Sequence, residues 1–421
     1  MITLPALRSH RPVALVLAAA ALGLAACGPA APAAPARPAS SAAAAAPAPA
    51  ATSRPAAPAT TGPGRGAAAG FQVLSMTFVS DQQGWALGSV PCGASRCGAL
   101  LGTTDGGARW TALTAPTRTV PGPYNQCPAG AACAGQIRFA TPLTGYAYDS
   151  SVLITTDGGR TWQPAGGPAS SLEAADGTVV RVADPEGCSG APGQVQVAAA
   201  GSTAWRPLPA PYVSLQCPAV LYRQGERLVL IAYGNAAGGV PATAVLARSA
   251  DGGQTWTAAA PDSCGGGDGY ATGVALAPPD VLVLLCQQQG QNANGTDRPG
   301  WIRVSADGGA QYGPDEVIPL LPHQPGDIPG YQVAAASAGR ILVVEGTDGD
   351  GAPGTDVLLT VNGGRSWSPT GYLADRGPVL LVGFEDPLTA RVAQGNTVWT
   401  TRDGGRTWLS DHFQSTQVSP G

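Results

Sequence analysis

The sequence runs to 421 residues and carries 59 glycines, 40 prolines, 27 acidic side chains and 23 basic ones, every basic one an arginine. A formal net charge of −4, with no block of basic residues beyond the N-terminus, excludes nucleic acid as an expected partner. Low charge density with turn signals throughout is the profile of a large all-β domain.

In chain order, residues 1–26 read as an export signal. Arg8 and Arg11 form a short basic region, and Val13 to Leu24 is almost wholly apolar but too short to span a bilayer comfortably. Leu24-Ala25-Ala26-Cys27 resembles the lipobox of bacterial lipoproteins. That resemblance implies cleavage before Cys27, lipidation at Cys27, and an extracytoplasmic protein anchored to the outer face of the cell membrane. An ordinary signal peptide ending near a cysteine is the alternative. Residues 27–70 are Ala, Pro, Ser and Thr with a few Arg. Prolines such as Pro29, Pro32, Pro35, Pro47 and Pro49 block a long helix, and the scarcity of large apolar side chains leaves nothing to offset the entropy of ordering. At ~3.1 Å per residue, an extended tether of this length reaches up to roughly 100 Å.

Residues 71–414 are dominated by one repeated phrase. Thr103-Thr-Asp105-Gly106-Gly107-Ala-Arg109-Trp110 returns around Asp157, Asp251, Asp307, Asn362 and Asp403, and Ala198–Trp205 is a decayed copy. Seven copies about 40 to 55 residues apart have the period of a propeller blade. An alternating apolar run precedes each clear copy: Ala99–Thr103, Val152–Thr155, Val245–Arg248, Ile302–Ser305, Val357–Thr360 and Val398–Thr401. Further runs lie upstream, among them Leu74–Val79 and Gly84–Gly88 in the first unit, and Leu228–Tyr233, Val281–Leu285, Ile341–Glu345 and Thr389–Ala393 as later second strands. A fourth strand is expected to start at the tryptophan. Four strands in each of seven units, none able to bury its own faces, predict a seven-bladed β-propeller of four-stranded antiparallel blades, with 415–421 as a tail.

The phrase resembles the Asp-box, or BNR repeat. Its Asp or Asn oxygen suits a tight turn, its glycines suit positive φ, and its Trp suits packing between blades. The aspartates therefore read as turn hardware. Phe78, Gly84, Trp85 and Gly88 followed by Thr103, Asp105, Gly106, Gly107 and Trp110 are similar to the photosystem II assembly-factor propellers and their non-photosynthetic relatives. That family implies a propeller without catalysis that holds partner proteins during assembly.

In such a blade the loops joining strands one to two and three to four share one rim, and these are short: Asp81–Gln83, Thr141–Thr144, Arg223–Glu226 and Ser337–Gly339. The opposite rim carries the long loops Val90–Gly98, Ala115–Gly135, Pro185–Gly193, Ala260–Gly269, Cys286–Gly300 and Gly346–Gly354, and elaborated loops on a rigid scaffold mark binding. With Cys27 taken by lipid, eight cysteines remain, all placed on or beside that rim, and export predicts disulfides. Sequential pairing, Cys92–Cys97, Cys127–Cys133, Cys188–Cys217 and Cys264–Cys286, is the simplest of the ~105 connectivities, and the first two pairs have adjacent loops that also permit cross-pairing. The tight spacing of a zinc site is missing.

For partner binding, Thr117–Gly135 offers Arg118, Tyr124 and Asn125 beside a bridge, residue types enriched at interface hot spots. Asp348, Asp350 and Asp356 form an acidic, glycine-rich stretch that is a weak calcium candidate, departing from the EF-hand pattern; no other cofactor is expected. The functional expectation is a monomeric, lipid-anchored scaffold that binds a protein, with a glycan as the other ligand class, and touches the membrane through its lipid alone. The alternative is an exported glycoside hydrolase of sialidase-like type. Against it, the Phe-Arg-Ile-Pro phrase of sialidases is missing, and His10, His323 and His412 offer little acid/base material. A pair of carboxyls ~6.5–9.5 Å apart across a central pore stays open on sequence.

Overall fold

The computed structural model describes residues 70–120, 127, 132–183, 193–210, 219–235, 241–258, 264, 269–288, 299–319, 329–347, 355–373 and 379–413. Residues 1–69, which hold the expected signal, Cys27 and all but the last residue of the expected tether, and residues 414–421 lie outside the described residues. Within them the chain forms seven four-stranded antiparallel sheets, each made of four consecutive strands. The first strand of each sheet stands on its inner edge: Gln72–Phe78, Ala134–Phe139, Ala169–Ala175, Ala219–Gln224, Gly269–Ala277, Pro329–Ala335 and Val379–Phe384. Successive inner strands neighbour one another, and the seventh neighbours the first. The fold is a seven-bladed β-propeller.

A blade has a neighbour on both faces, so its middle strands do not alternate apolar with polar as a half-exposed strand does. Ile341, Leu342, Val343 and Val344 are all fully buried, as are Val283, Leu284 and Leu285. The described core divides into seven hydrophobic clusters, and each spans two adjacent blades. Each also contains the aromatic residue of one repeated phrase: Trp110, Trp162, Trp205, Trp256, Tyr312, Trp367 and Trp408 in turn. The phrase thus supplies one large apolar wedge per blade interface.

The ring closes without a swapped strand, because blade 1 takes its four strands from one end of the domain and blade 7 from the other. Side chains do the closing. Phe413 packs against Phe71 and Trp110, with ring centroids 5.0 and 5.1 Å apart.

Three sequence expectations need correction. Val90–Gly98 is not a loop: Gly84–Cys92 and Ser95–Thr103 pair along their whole length around a two-residue turn, Gly93-Ala94. Asp356 lies in the strand Thr355–Thr360 opposite Glu345 and Tyr372, 7% exposed, so it is not part of an open loop; Asp348 and Asp350 lie outside the described residues. The fourth strands begin after the aromatic residue, as at Thr111–Leu113, because that residue turns inward to the interface.

Candidate functional site

The repeated Asp-Gly-Gly turns are the first candidates, and their acids are consumed locally. In blade 1 the Thr103 hydroxyl donates to Asp105 Oδ1 at 3.0 Å and accepts the Gly107 N–H at 2.9 Å, while Asp105 Oδ1 accepts the Arg109 N–H at 2.8 Å. Gly106 and Gly107 hold φ of 73° and 98°, open to glycine at no steric cost. The Thr or Ser bonds recur around Asp157, Asp251, Asp307, Asn362 and Asp403. Bonds from the Thr161 hydroxyl and N–H hold Asp157 down to about 2, and Thr255 does the same for Asp251. Burial opposes the drop at Asp403, and the Thr407 bonds outweigh it, again giving about 2. Such carboxylates stay ionised and bound to their own turns.

Each turn is also tied to the loop between strands one and two of its own blade. Gly106 N–H donates to Gln82 O, Gly158 to Leu143 O, Gly252 to Glu226 O, Gly308 to Asp280 O, Gly363 to Gly339 O and Gly404 to Leu388 O; the decayed copy keeps the bond as Ala200 to Gly177 O. Both loop sets therefore share one rim, tied together by backbone bonds.

The opposite rim is built differently. Its most elaborate described part is the hairpin Gly84–Thr103 and the chain that follows it. Cys92–Cys97 staples the hairpin tip, and Arg96 donates to Ser89 Oγ at 2.8 Å and Gly70 O at 2.7 Å. The Gly98 N–H donates to Arg118 O at 2.9 Å, and a Cβ on Gly98 would meet Thr117 O at 2.2 Å, so only glycine permits this approach. Thr117 Oγ1 donates to Thr119 O and accepts the Ala134 N–H, Thr119 bridges to Cys133, and Cys127–Cys133 closes the segment. Arg118 is exposed at the centre of this arrangement. Tyr124 and Asn125 lie outside the described residues, as do Cys188 and Cys217. The third described bridge, Cys264–Cys286, is buried on the same rim.

Between the inner strands lies a cavity of about 700 Å³, lined by six of the seven. Inner strands are sheet edges, and edges present unpaired backbone groups. Neighbouring blades satisfy several of them. Ser75 Oγ accepts the Ile137 N–H at 3.2 Å, Ser171 Oγ accepts the Leu221 N–H at 3.0 Å, Tyr148 bonds the Leu172 backbone, Tyr222 bonds the Val274 backbone, and Gln332 donates to Val379 O. Arg138 and Glu173 form an ion pair of 3.1 Å across blades 2 and 3. Burial disfavours the Arg138 charge, but the facing Tyr148 and Glu173 outweigh it and hold its pKa above the ordinary value. Burial pushes the Tyr222 phenol up to about 12, so it stays a neutral hydroxyl. Among the described lining residues Glu173 is the single carboxylate.

Sequence reasoning missed Arg138 and Glu173, and also Arg391, whose visible signal was a charge inside an apolar strand.

Solved structures similar to this chain include YCF48 bound to D1 peptide, 16% identical, covering 65% of this chain and 79% of that one at a TM-score of 0.41. The β-propeller domain of the Trilobed protease from Pyrococcus furiosus is 8% identical, covering 83% and 97% at 0.46. The GH74 xyloglucanase from Xanthomonas campestris is 14% identical at 0.37, and the chain spans 45% of its length and 79% of its own. At such identities the likeness is one of fold alone, and no residue role passes to this chain. No protein-family model matches the sequence, and no curated protein does.

Proposed function

We propose that this chain is a lipid-anchored, extracytoplasmic scaffold, tethered through Cys27, that binds a protein on the rim opposite its Asp-Gly-Gly turns and carries out no catalysis. The observation that carries the reading is the stapled surface of blade 1 and the segment after it. Two disulfides, Cys92–Cys97 and Cys127–Cys133, together with the Gly98–Arg118 and Thr117–Ala134 bonds, fix the hairpin and its neighbouring chain. A surface ordered before docking loses little entropy on binding, and a central arginine such as Arg118 is a frequent anchor. The acids bear on the same point: the described turn acids spend their hydrogen bonds on the backbone and hydroxyls of their own turns, and Glu173 in the channel is held by Arg138, whereas glycoside hydrolysis asks for two carboxyls facing one bond. The test is photocrosslinking from positions beside Arg118 in cells, followed by affinity capture. One protein is expected to be captured, and Arg118→Glu is expected to weaken capture at least about ten-fold, the loss of a hot spot. Turnover of fluorogenic glycosides by the purified chain, or capture unchanged in the variant, refutes the reading.

A further inference from the structure

The Cys127–Cys133 bridge differs from the other two described bridges in its surroundings. Cys133 is fully buried, whereas Cys127 is half-buried. A carboxylate oxygen of Asp149 lies within 4.8 Å of both sulfurs. The placement follows from register, since Asp149 ends the strand Gly145–Asp149 opposite Ala134, the residue after Cys133. The Ser150 hydroxyl also bonds the Cys133 backbone, accepting its N–H at 3.0 Å and donating to its carbonyl at 3.2 Å, so the buried sulfur sits on a fixed support. By contrast Cys264–Cys286 is buried at both ends, which bars an incoming thiol. Cys92–Cys97 is half-buried at both ends, and among the described residues no carboxylate stands so close to both of its sulfurs.

One half-buried sulfur and one fully buried sulfur suit thiol–disulfide exchange that begins at the more exposed one, and the acid beside both can hand a proton to the leaving sulfur. We propose that Cys127–Cys133 is a thiol–disulfide exchange centre, with an external thiol as its co-reactant. The thiolate attacks Cys127 Sγ. The Cys127–Cys133 bond breaks as the bond from the external sulfur to Cys127 forms, and the electron pair leaves on Cys133 Sγ, which takes a proton from the Asp149 carboxylic acid. In reverse, the Asp149 carboxylate removes the Cys133 proton, and the freed thiolate attacks Cys127 Sγ and expels the external thiolate. One disulfide is consumed and one formed at each step, so no further oxidant or reductant enters. Burial raises Asp149 to about 6, which suits a group that both gives and takes a proton near neutrality. Among the described residues the groups beside it are the two sulfurs and, as an electrostatic neighbour, the Tyr148 phenol, itself raised by burial and neutral in this range.

The exchange goes beyond protein docking and turns over no substrate, because it converts the protein's own bridge with a small thiol, and Arg118 has no part in it. The test uses the purified chain in reduced glutathione near neutral pH, quenched by alkylation and read by peptide mass spectrometry. The Cys127–Cys133 bridge is expected to open about ten-fold or more faster than Cys92–Cys97, with glutathione on Cys127 and a free thiol at Cys133. Cys133→Ser in oxidised glutathione is expected to accumulate the Cys127 adduct; if that variant fails to fold, the rate ratio in the parent chain decides alone. Asp149→Asn is expected to keep the bridge while losing the change in reclosure rate near pH 6. Equal opening rates for the two bridges, an adduct on Cys133, or an Asp149→Asn pH profile matching the parent each overturn the proposal.

Discussion

Arg391 stands at the one blade interface that no connecting segment spans, where the last blade meets the first. It is 1% exposed, yet its guanidinium is fully engaged. It pairs with Glu385 at 2.5 Å, donates to Thr400 Oγ1 at 3.0 Å within its own blade, and donates to Gly106 O at 2.6 Å and Asp81 O at 2.9 Å in blade 1. Its charge also lies 3.9 Å from the Phe78 ring centroid. The same carbonyl is clasped at other interfaces: Trp85 Nε1 donates to Gly158 O, Arg248 to Gly308 O and Arg340 to Gly404 O. At those interfaces the chain itself keeps the blades together, whereas at blade 7 the side chain has no such help. Removing one member of a buried pair leaves the other charged and unsolvated, so Arg391→Met is expected to lower stability by about 3–5 kcal/mol. Adding Glu385→Gln should recover part of that, and urea denaturation midpoints of both variants are the measurement. The sequence displays half of this arrangement. An arginine inside the apolar run Thr389–Ala393 is a visible anomaly, but its carbonyl partners lie 285 and 310 residues away, beyond the reach of any local pattern.

At the scale of the element, the Asp-Gly-Gly turn was legible because its chemistry is local: acceptor, hydroxyl and glycines all fall within five residues. The hairpin Gly84–Thr103 was not, because Pro91, Gly93 and Gly98 read as strand breakers. Pairing survives them because Gly93 takes φ of 69° at the turn and Cys92–Cys97 clamps the two strands. Losing that clamp in Cys92→Ser/Cys97→Ser is expected to cost about 2 kcal/mol for so short a loop, read from thermal melts under oxidising conditions. The turns carry a pH signature as well. Asp157, Asp251 and Asp403 sit at about 2 in the fold against ~3.9 unfolded. A depressed folded pKa means that the stabilisation is fully present above the unfolded value and is lost as pH falls through the folded one, here between about pH 4 and about pH 2. Blade 6 shows a neutral solution: Asn362 Oδ1 accepts the Ser366 N–H at 3.0 Å and its amide donates to the Ser366 hydroxyl at 2.9 Å. Asp157→Asn/Asp251→Asn/Asp403→Asn is therefore expected to melt near the parent temperature at neutral pH and to lose less of it on acidification. A triple variant as acid-sensitive as the parent would show that these carboxylates do not govern acid unfolding.

The whole ring is a closed series of seven similar interfaces, each with an aromatic wedge and several with a hydroxyl, phenol or amide reaching the next inner strand. In a chain of nearest-neighbour contacts, stability is close to a sum of interface contributions, and local opening starts at the weakest one. Six interfaces are covalently linked by the connecting chain, so their blades stay at high effective concentration when contacts break. The interface between blades 7 and 1 depends on contacts alone: the Phe71, Trp110 and Phe413 cluster, and Arg391. Phe413→Ala removes the ring that touches Phe71 and Trp110 of blade 1 and should cost about 3–5 kcal/mol. The expected consequence is local before it is global. Amide exchange should accelerate first in Gln72–Phe78 and Ala390–Gln394, whereas Arg227–Asn235 and Val281–Gln288, on the far side of the ring, keep parental protection. Uniform acceleration across all seven blades would mean that the ring opens only by complete unfolding, so that the missing chain connection gives no weak point.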